Sequence, residues 1–174
     1  MKKILLALVL ALCCNPLFAQ SLNASESDFS SEKINNPDEA AKASFPPTLK
    51  KVPASIEKKL LGKHKFSLQW ISWDYFGSVN ISKLAESTYR CVGKQLSKEN
   101  DDYIYIDGKL EVINAQELLF NGSIRTKIHH INGGKEYEKT GTHLFKATKG
   151  RKFWRMQDME DPDGSTDYVD IFFK

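Results

Sequence analysis

Glu117-Leu-Leu-Phe-Asn-Gly-Ser-Ile-Arg-Thr-Lys-Ile-His-His-Ile131 is the stretch on which the reading of this chain turns. Leu118, Phe120, Gly122, Ile124, Thr126, Ile128 and His130 fall on one phase. Asn121, Ser123, Arg125, Lys127 and His129 fall on the other. A period of two belongs to a strand with one face in a core and one in water. Asn132-Gly133-Gly134 follows and supplies residues that tolerate positive φ, which marks a turn.

The pattern continues in both directions. Downstream, 135–148 alternates Gly141, His143, Phe145 and Ala147, Lys149-Gly150 turns the chain into 151–157, and an acidic loop (158–164) leads to a last strand at 166–173. Upstream, Asp107-Gly108 between Tyr103–Ile106 and Lys109–Ile113 is the signature of a tight hairpin. The segment 64–73 changes phase at Trp70, which a bulge would explain. Strands at 78–82 and 88–94 complete eight or nine. Antiparallel strands in that number close into a barrel or split into a sandwich, because open edges invite aggregation. The two long segments favour an all-β antiparallel barrel of eight to nine strands. Ser55-Ile-Glu-Lys-Lys-Leu-Leu reads as one short helix before it, capped by Ser55 and ended by Gly62.

The barrel occupies 55–174. Before it, 20–54 is rich in Ser, Asn, Asp, Glu, Lys and Pro, a composition that cannot offset its own ordering entropy and reads as a disordered linker. Residues 1–19 read as a signal peptide: Lys2 and Lys3, an apolar run from Ile4 to Cys14, and a cleavage site after Ala19. The run is shorter than the roughly 20 residues a membrane span needs. The protein is therefore expected to be exported, periplasmic or extracellular, without stable membrane insertion after cleavage. A lipoprotein ranks second, because Leu12 and Cys13 stand where lipid attachment wants a small residue. Lys2 and Lys3 leave with the signal, so the chain's 25 basic residues fall to 23 against 22 acidic. So balanced a surface argues against nucleic acid as a partner. Of three cysteines only Cys91 survives cleavage, a free thiol whose expected state is burial.

Leu60-Leu61-Gly62 ending a helical turn, an aromatic first strand and a run of hairpins to the C-terminus resemble the lipocalin-like (calycin) small barrels. The closing segments Arg151-Lys-Phe-Trp-Arg-Met-Gln157 and Thr166-Asp-Tyr-Val-Asp-Ile-Phe-Phe173 are similar to those of small secreted bacterial proteins. That resemblance implies a barrel that holds a small molecule. The Gly-x-Trp of lipocalins has no counterpart, Gly62 being followed by Lys63 and His64.

Candidate pocket residues are Trp70, Tyr105, His130, His143, Trp154 and Arg155. His130 and His143 sit on the apolar phase of neighbouring strands, where two imidazoles would hold a metal or a polar ligand group. A zinc site wants three or four protein ligands, so each is better read as a hydrogen-bonded structural histidine, and no metal or cofactor is assigned. Arg155 is expected to pair with Asp158 or Asp170, or to pack on an aromatic ring. Cys91 with a histidine would make a nucleophile and base, but no oxyanion-hole signature accompanies them. Asp161, Asp163 and Gly164 match part of a calcium loop, yet Met159 takes the first ligand position, and a solvated hairpin connection explains the acids better. Lys149 to Arg155 mixes cations with aromatics as single-strand binders do, against the balanced charge. The expectation is a non-enzymatic exported binding protein with an amphipathic small molecule in its barrel. The alternative is a periplasmic interaction module, an inhibitor, immunity or assembly factor, with an envelope protein as partner.

Overall fold

The computed structural model describes residues 45–174. The signal segment 1–19 and the linker as far as residue 44 lie outside the described residues. Helix α1 (Ala54–Leu60) precedes eight strands: β1 (Gly62–Leu68), β2 (Gly77–Lys83), β3 (Thr88–Leu96), β4 (Tyr103–Val112), β5 (Glu117–Lys127), β6 (Tyr137–Lys146), β7 (Phe153–Met156) and β8 (Val169–Phe172). Each strand pairs antiparallel with the next, and β8 returns to β1 through Phe66 opposite Ile171. The result is an up-and-down closed barrel, which leaves no sheet edge to aggregate.

The alternation of β5 holds apart from Leu119, which is 3% exposed on the outward phase. Leu118, Phe120 and Ile124 point inward with at most 1% exposure, and Ile128 just beyond the strand is equally buried. They meet Phe66, Tyr89, Phe145 and Trp154 from other staves in one core. Gly108, Gly122 and Gly141 stand in register across β4, β5 and β6. A Cβ on Gly108 would lie 2.6 Å from the Phe120 ring, so this glycine makes room for an aromatic that spans the interior.

That use of Gly108 corrects the hairpin expected at Asp107-Gly108. β4 runs straight through both residues, with Asp107 opposite Ser123 and Gly108 opposite Gly122. The glycine serves packing instead of turning, so the strands number eight. The phase change at Trp70 is also no bulge. β1 ends at Leu68, and Ile71 N–H closes a turn on Leu68 O at 3.1 Å.

Helix α1 closes one end of the barrel. Leu60 is fully buried, Glu57 accepts from Tyr89 Oη at 2.9 Å, and Lys83 Nζ reaches Glu57 at 2.6 Å. Pro53, and not Ser55, stands at the N-cap, and its carbonyl accepts from Ile56 and Glu57 N–H. The described part of the linker does not stay free of the barrel. Leu49 N–H bonds to Val112 O at 2.7 Å, Thr48 Oγ1 to Glu111, and Val52 is buried. Buried His64 ties this end together, its two ring nitrogens 2.7 Å from Leu60 O and 2.9 Å from Phe172 O. The opposite end carries the connections β1–β2, β3–β4, β5–β6 and β7–β8.

Candidate functional site

The six residues proposed from sequence do not share one pocket. Trp154 and His143 lie inside the barrel, Tyr105 and Arg155 on its outer wall, and Trp70 and His130 at the loop end. Trp154 is 1% exposed, with its ring 4.4 Å from that of Phe173. Tyr105 takes the outward phase of β4, against Tyr103 at 5.0 Å and Arg125 at 5.4 Å. Arg155 takes the outward phase of β7 and forks onto Asp170 at 2.7 and 2.6 Å, between the rings of Phe153 and Tyr168. Of the two carboxylates considered, Asp170 is therefore its partner.

His130 is exposed, not inward. β5 stops at Lys127 and the chain turns, with Ile131 N–H bonded to Ile128 O at 3.1 Å, so the alternating phase does not carry on to residue 130. His143 is buried on β6 and lies 6.3 Å from the Phe120 ring. Burial pushes its pKa below the ordinary imidazole value, Asp158 at 3.4 Å opposes that, and Lys139 adds to it. The two histidines thus form no pair.

Cys91 is fully buried on the inward phase of β3, and burial pushes its thiol well above the usual range. A thiol so placed supplies almost no thiolate. Native protein is expected to resist iodoacetamide, and the same protein in urea to take one label at this position. Rapid native labelling would contradict the burial.

The acidic connection between β7 and β8 is not a solvated loop throughout. Asp161 and Asp167 are 4% and 1% exposed. Lys139, projecting from β6, reaches Asp161 Oδ1 at 3.2 Å and donates to the carbonyls of Asp158 and Glu160 at 3.1 and 2.7 Å. Asp167 accepts from Trp70 Nε1 at 3.0 Å and from the Tyr137 hydroxyl. Two buried carboxylates thus face one lysine. Burial foremost, with Asp161 nearby and against the bond from Tyr137, leaves the Asp167 carboxyl pushed up to about 7. The acids hold the loop down across the barrel mouth, a role the calcium reading did not anticipate.

Outside this buried seam lies a cleft of about 470 Å³ between the β1–β2 and β7–β8 loops, lined by Gln69, Trp70, Trp73, Ser165, Thr166 and Tyr168. Gln69 fixes its floor. Its side-chain amide donates to Thr166 O at 2.5 Å and accepts from Tyr168 N–H at 2.6 Å. Trp73 stands on the lip with 67% of its surface in water. An indole so exposed is unusual, because burying it elsewhere would remove its large apolar area from solvent. Two further clefts, at Lys51–Glu57 and at Lys63–Ser78–Tyr105, also lie outside the barrel.

Residues that sequence reasoning missed are Gln69, Tyr137, Lys139 and Asp167, while Asp161 was weighed only as a calcium ligand. Tyr137 and Lys139 had a legible signal: they share the phase of Gly141, His143 and Phe145.

A family model matches residues 38–173. The chain belongs to the PM1083 family. An uncharacterised family protein, PM1083 of Pasteurella multocida (strain Pm70), is 44% identical over 121 residues, which cover 69% of this chain and 77% of that one. No solved structure matches. The match to the PM1083 family takes in residues 38–53, in keeping with the contacts of Thr48, Leu49 and Val52 to the barrel.

Proposed function

We propose that this PM1083-family barrel is a non-enzymatic, exported binding protein that engages an envelope protein partner through the loop end. The observation that carries the reading is Trp73, two-thirds exposed on the lip of an aromatic cleft. Tryptophan and tyrosine dominate binding energy in protein interfaces, and loops fixed by a rigid scaffold are where such residues are displayed. Here the scaffold is rigid because Asp167 and Lys139 staple the β7–β8 loop to β6, and Gln69 and Trp70 tie the β1–β2 connection to that loop. The interior offers less. Phe66, Tyr89, Phe120 and Phe145 have no exposed surface, which leaves no water-sized space beside them.

Photo-crosslinking in the native envelope tests this. A crosslinker at Trp73 and one at Tyr168 are expected to trap the same single protein, whereas one at Val92 on the outer wall traps none. Trp73→Ala is expected to weaken that complex by about 2 kcal/mol or more, the cost of losing an interface anchor. Different adducts from the two rim positions would sink the proposal. Export rests on residues 1–19, and the N-terminus of the recovered protein is expected at Gln20.

A second reading follows the lipocalin-like resemblance: a small amphipathic molecule inside the barrel. One observation favours it. Thr126 Oγ1, His143 Nε2 and Trp154 Nε1 are buried without hydrogen-bond partners among the described residues, and His143 Nδ1 has only the Asp158 carboxylate, at 3.4 Å. Mass spectrometry of extracts from the native protein distinguishes the two, since a stoichiometric small molecule supports only the second.

A further inference from the structure

At the loop end, beside Trp70, two neighbouring imidazoles and a buried carboxylate come together. Asp102 precedes β4 and is 3% exposed; His129 and His130 follow β5 at the surface. We propose that His129 and His130 bind a divalent transition metal ion of the zinc type, with Asp102 as the carboxylate that orients His129. This goes beyond the partner reading and does not depend on it.

The geometry begins with Asp102. Its Oδ1 accepts the His129 backbone N–H at 2.7 Å, and its Oδ2 lies 2.7 Å from His129 Nδ1. Its own N–H is tied to Asn100 Oδ1 at 3.0 Å, and its carbonyl accepts from Ser97 N–H at 2.8 Å. The carboxylate is therefore fixed from both sides. Asn100 Nδ2 also approaches His129 Nδ1, at 3.2 Å. A charged acceptor at 2.7 Å outweighs an amide at 3.2 Å, so Nδ1 carries the proton and the lone pair is on Nε2. A carboxylate behind an imidazole is the usual outer-shell arrangement of metal-binding histidines, because it sets the tautomer and raises ligand basicity.

That lone pair faces the second imidazole. His129 Nε2 lies 3.4 Å from His130 Nδ1. Zinc–nitrogen bonds of roughly 2.0–2.1 Å at a tetrahedral angle separate two ligand nitrogens by about 3.3–3.4 Å. The rings are inclined at 71°, not stacked, and the Trp70 indole packs edge-on against His130 at 5.6 Å, holding its ring in place. Two imidazoles suit zinc, copper or nickel, whereas magnesium and calcium want oxygen donors. Water, or a donor from whatever occupies the neighbouring cleft, completes the coordination.

The test uses the untagged full chain, whose only histidines are His64, His129, His130 and His143. Equilibrium dialysis against zinc chloride is expected to show one ion per chain, with no uptake of magnesium. His129→Ala and His130→Ala are each expected to weaken uptake at least tenfold, while circular dichroism stays that of the parent, both side chains being at the surface. Asp102→Asn is expected to weaken it about 10- to 100-fold. No stoichiometric uptake, or uptake that survives the two alanine variants, would overturn the proposal. Failure of the crosslinking experiment leaves this result untouched, because it is read on the isolated chain.

Discussion

Arg155→Met is expected to cost about 3–5 kcal/mol of folding stability, the range for removing one partner of a buried ion pair. The two side chains are only 12% and 3% exposed, and the guanidinium forks onto Asp170 with two short bonds. Methionine keeps most of the stem that packs between Phe153 and Tyr168, so the loss reports the stranded carboxylate more than lost packing. Burial already pushes the Asp170 carboxyl up, and Arg155 is what holds it down. Without the arginine its folded-state value rises further above the unfolded one. A group raised in the folded state takes up protons on folding, so the variant gains stability as pH falls and loses it as pH rises. Urea midpoints at pH 5 and pH 8 measure both effects. Arg155→Met combined with Asp170→Leu is expected to recover most of the loss, since a well-packed apolar pair replaces such ion pairs without penalty. A single-variant loss below about 1 kcal/mol would mean that the pair behaves as an exposed one.

The second large effect is a fall in stability with rising pH, set by Asp167. Its folded-state value of about 7 exceeds the unfolded value of about 3.9, so its stabilising contribution is complete at low pH and disappears as pH climbs through that window. Every tenfold difference in proton affinity between the folded and unfolded chain is worth about 1.4 kcal/mol, so the loss amounts to a few kcal/mol. Other groups act in the same range or below it. His143, pushed down by burial, contributes the opposite slope below its ordinary value. Asp163 is held at about 2, first by the Ser165 hydroxyl and then by backbone N–H groups, and loses its contribution only in strong acid. The readout is therefore the difference between the parent and Asp167→Asn, in which the falling slope between pH 4 and pH 7 should vanish. Equal slopes in the two proteins would show that Asp167 ionises freely.

Strands were the most legible part of this sequence, for a physical reason. One wall in water and one in a core impose a period of two, and β5 carries it from Phe120 to Lys127. Reading failed where a residue had two uses. Asp107-Gly108 is an ideal hairpin dipeptide, yet the chain spends the glycine on space for Phe120, a contact twelve residues away in sequence. His130 continued an alternation that the backbone had already left. Asp161 and Asp167 looked solvated because an acidic loop usually is. Their burial depends on Lys139, Tyr137 and Trp70, which lie far from them in sequence. The site followed the same rule: Trp70 and Trp73 read as core or pocket lining, but Tyr168 joins them in a cleft only after the barrel has closed and brought the β1–β2 and β7–β8 loops together.

Recognition is proposed to happen on the rim while the interior stays full, and the chain carries its own three tryptophan reporters. Trp73 stands on the lip, Trp70 is bonded to Asp167 behind it, and Trp154 lies in the core. The indole N–H resonances of ¹⁵N-labelled protein, followed while the partner trapped at Trp73 is added, test the claim most directly. A large shift is expected for Trp73, a smaller one for Trp70 and none for Trp154. A shift confined to Trp154, with Trp73 unmoved, would contradict it.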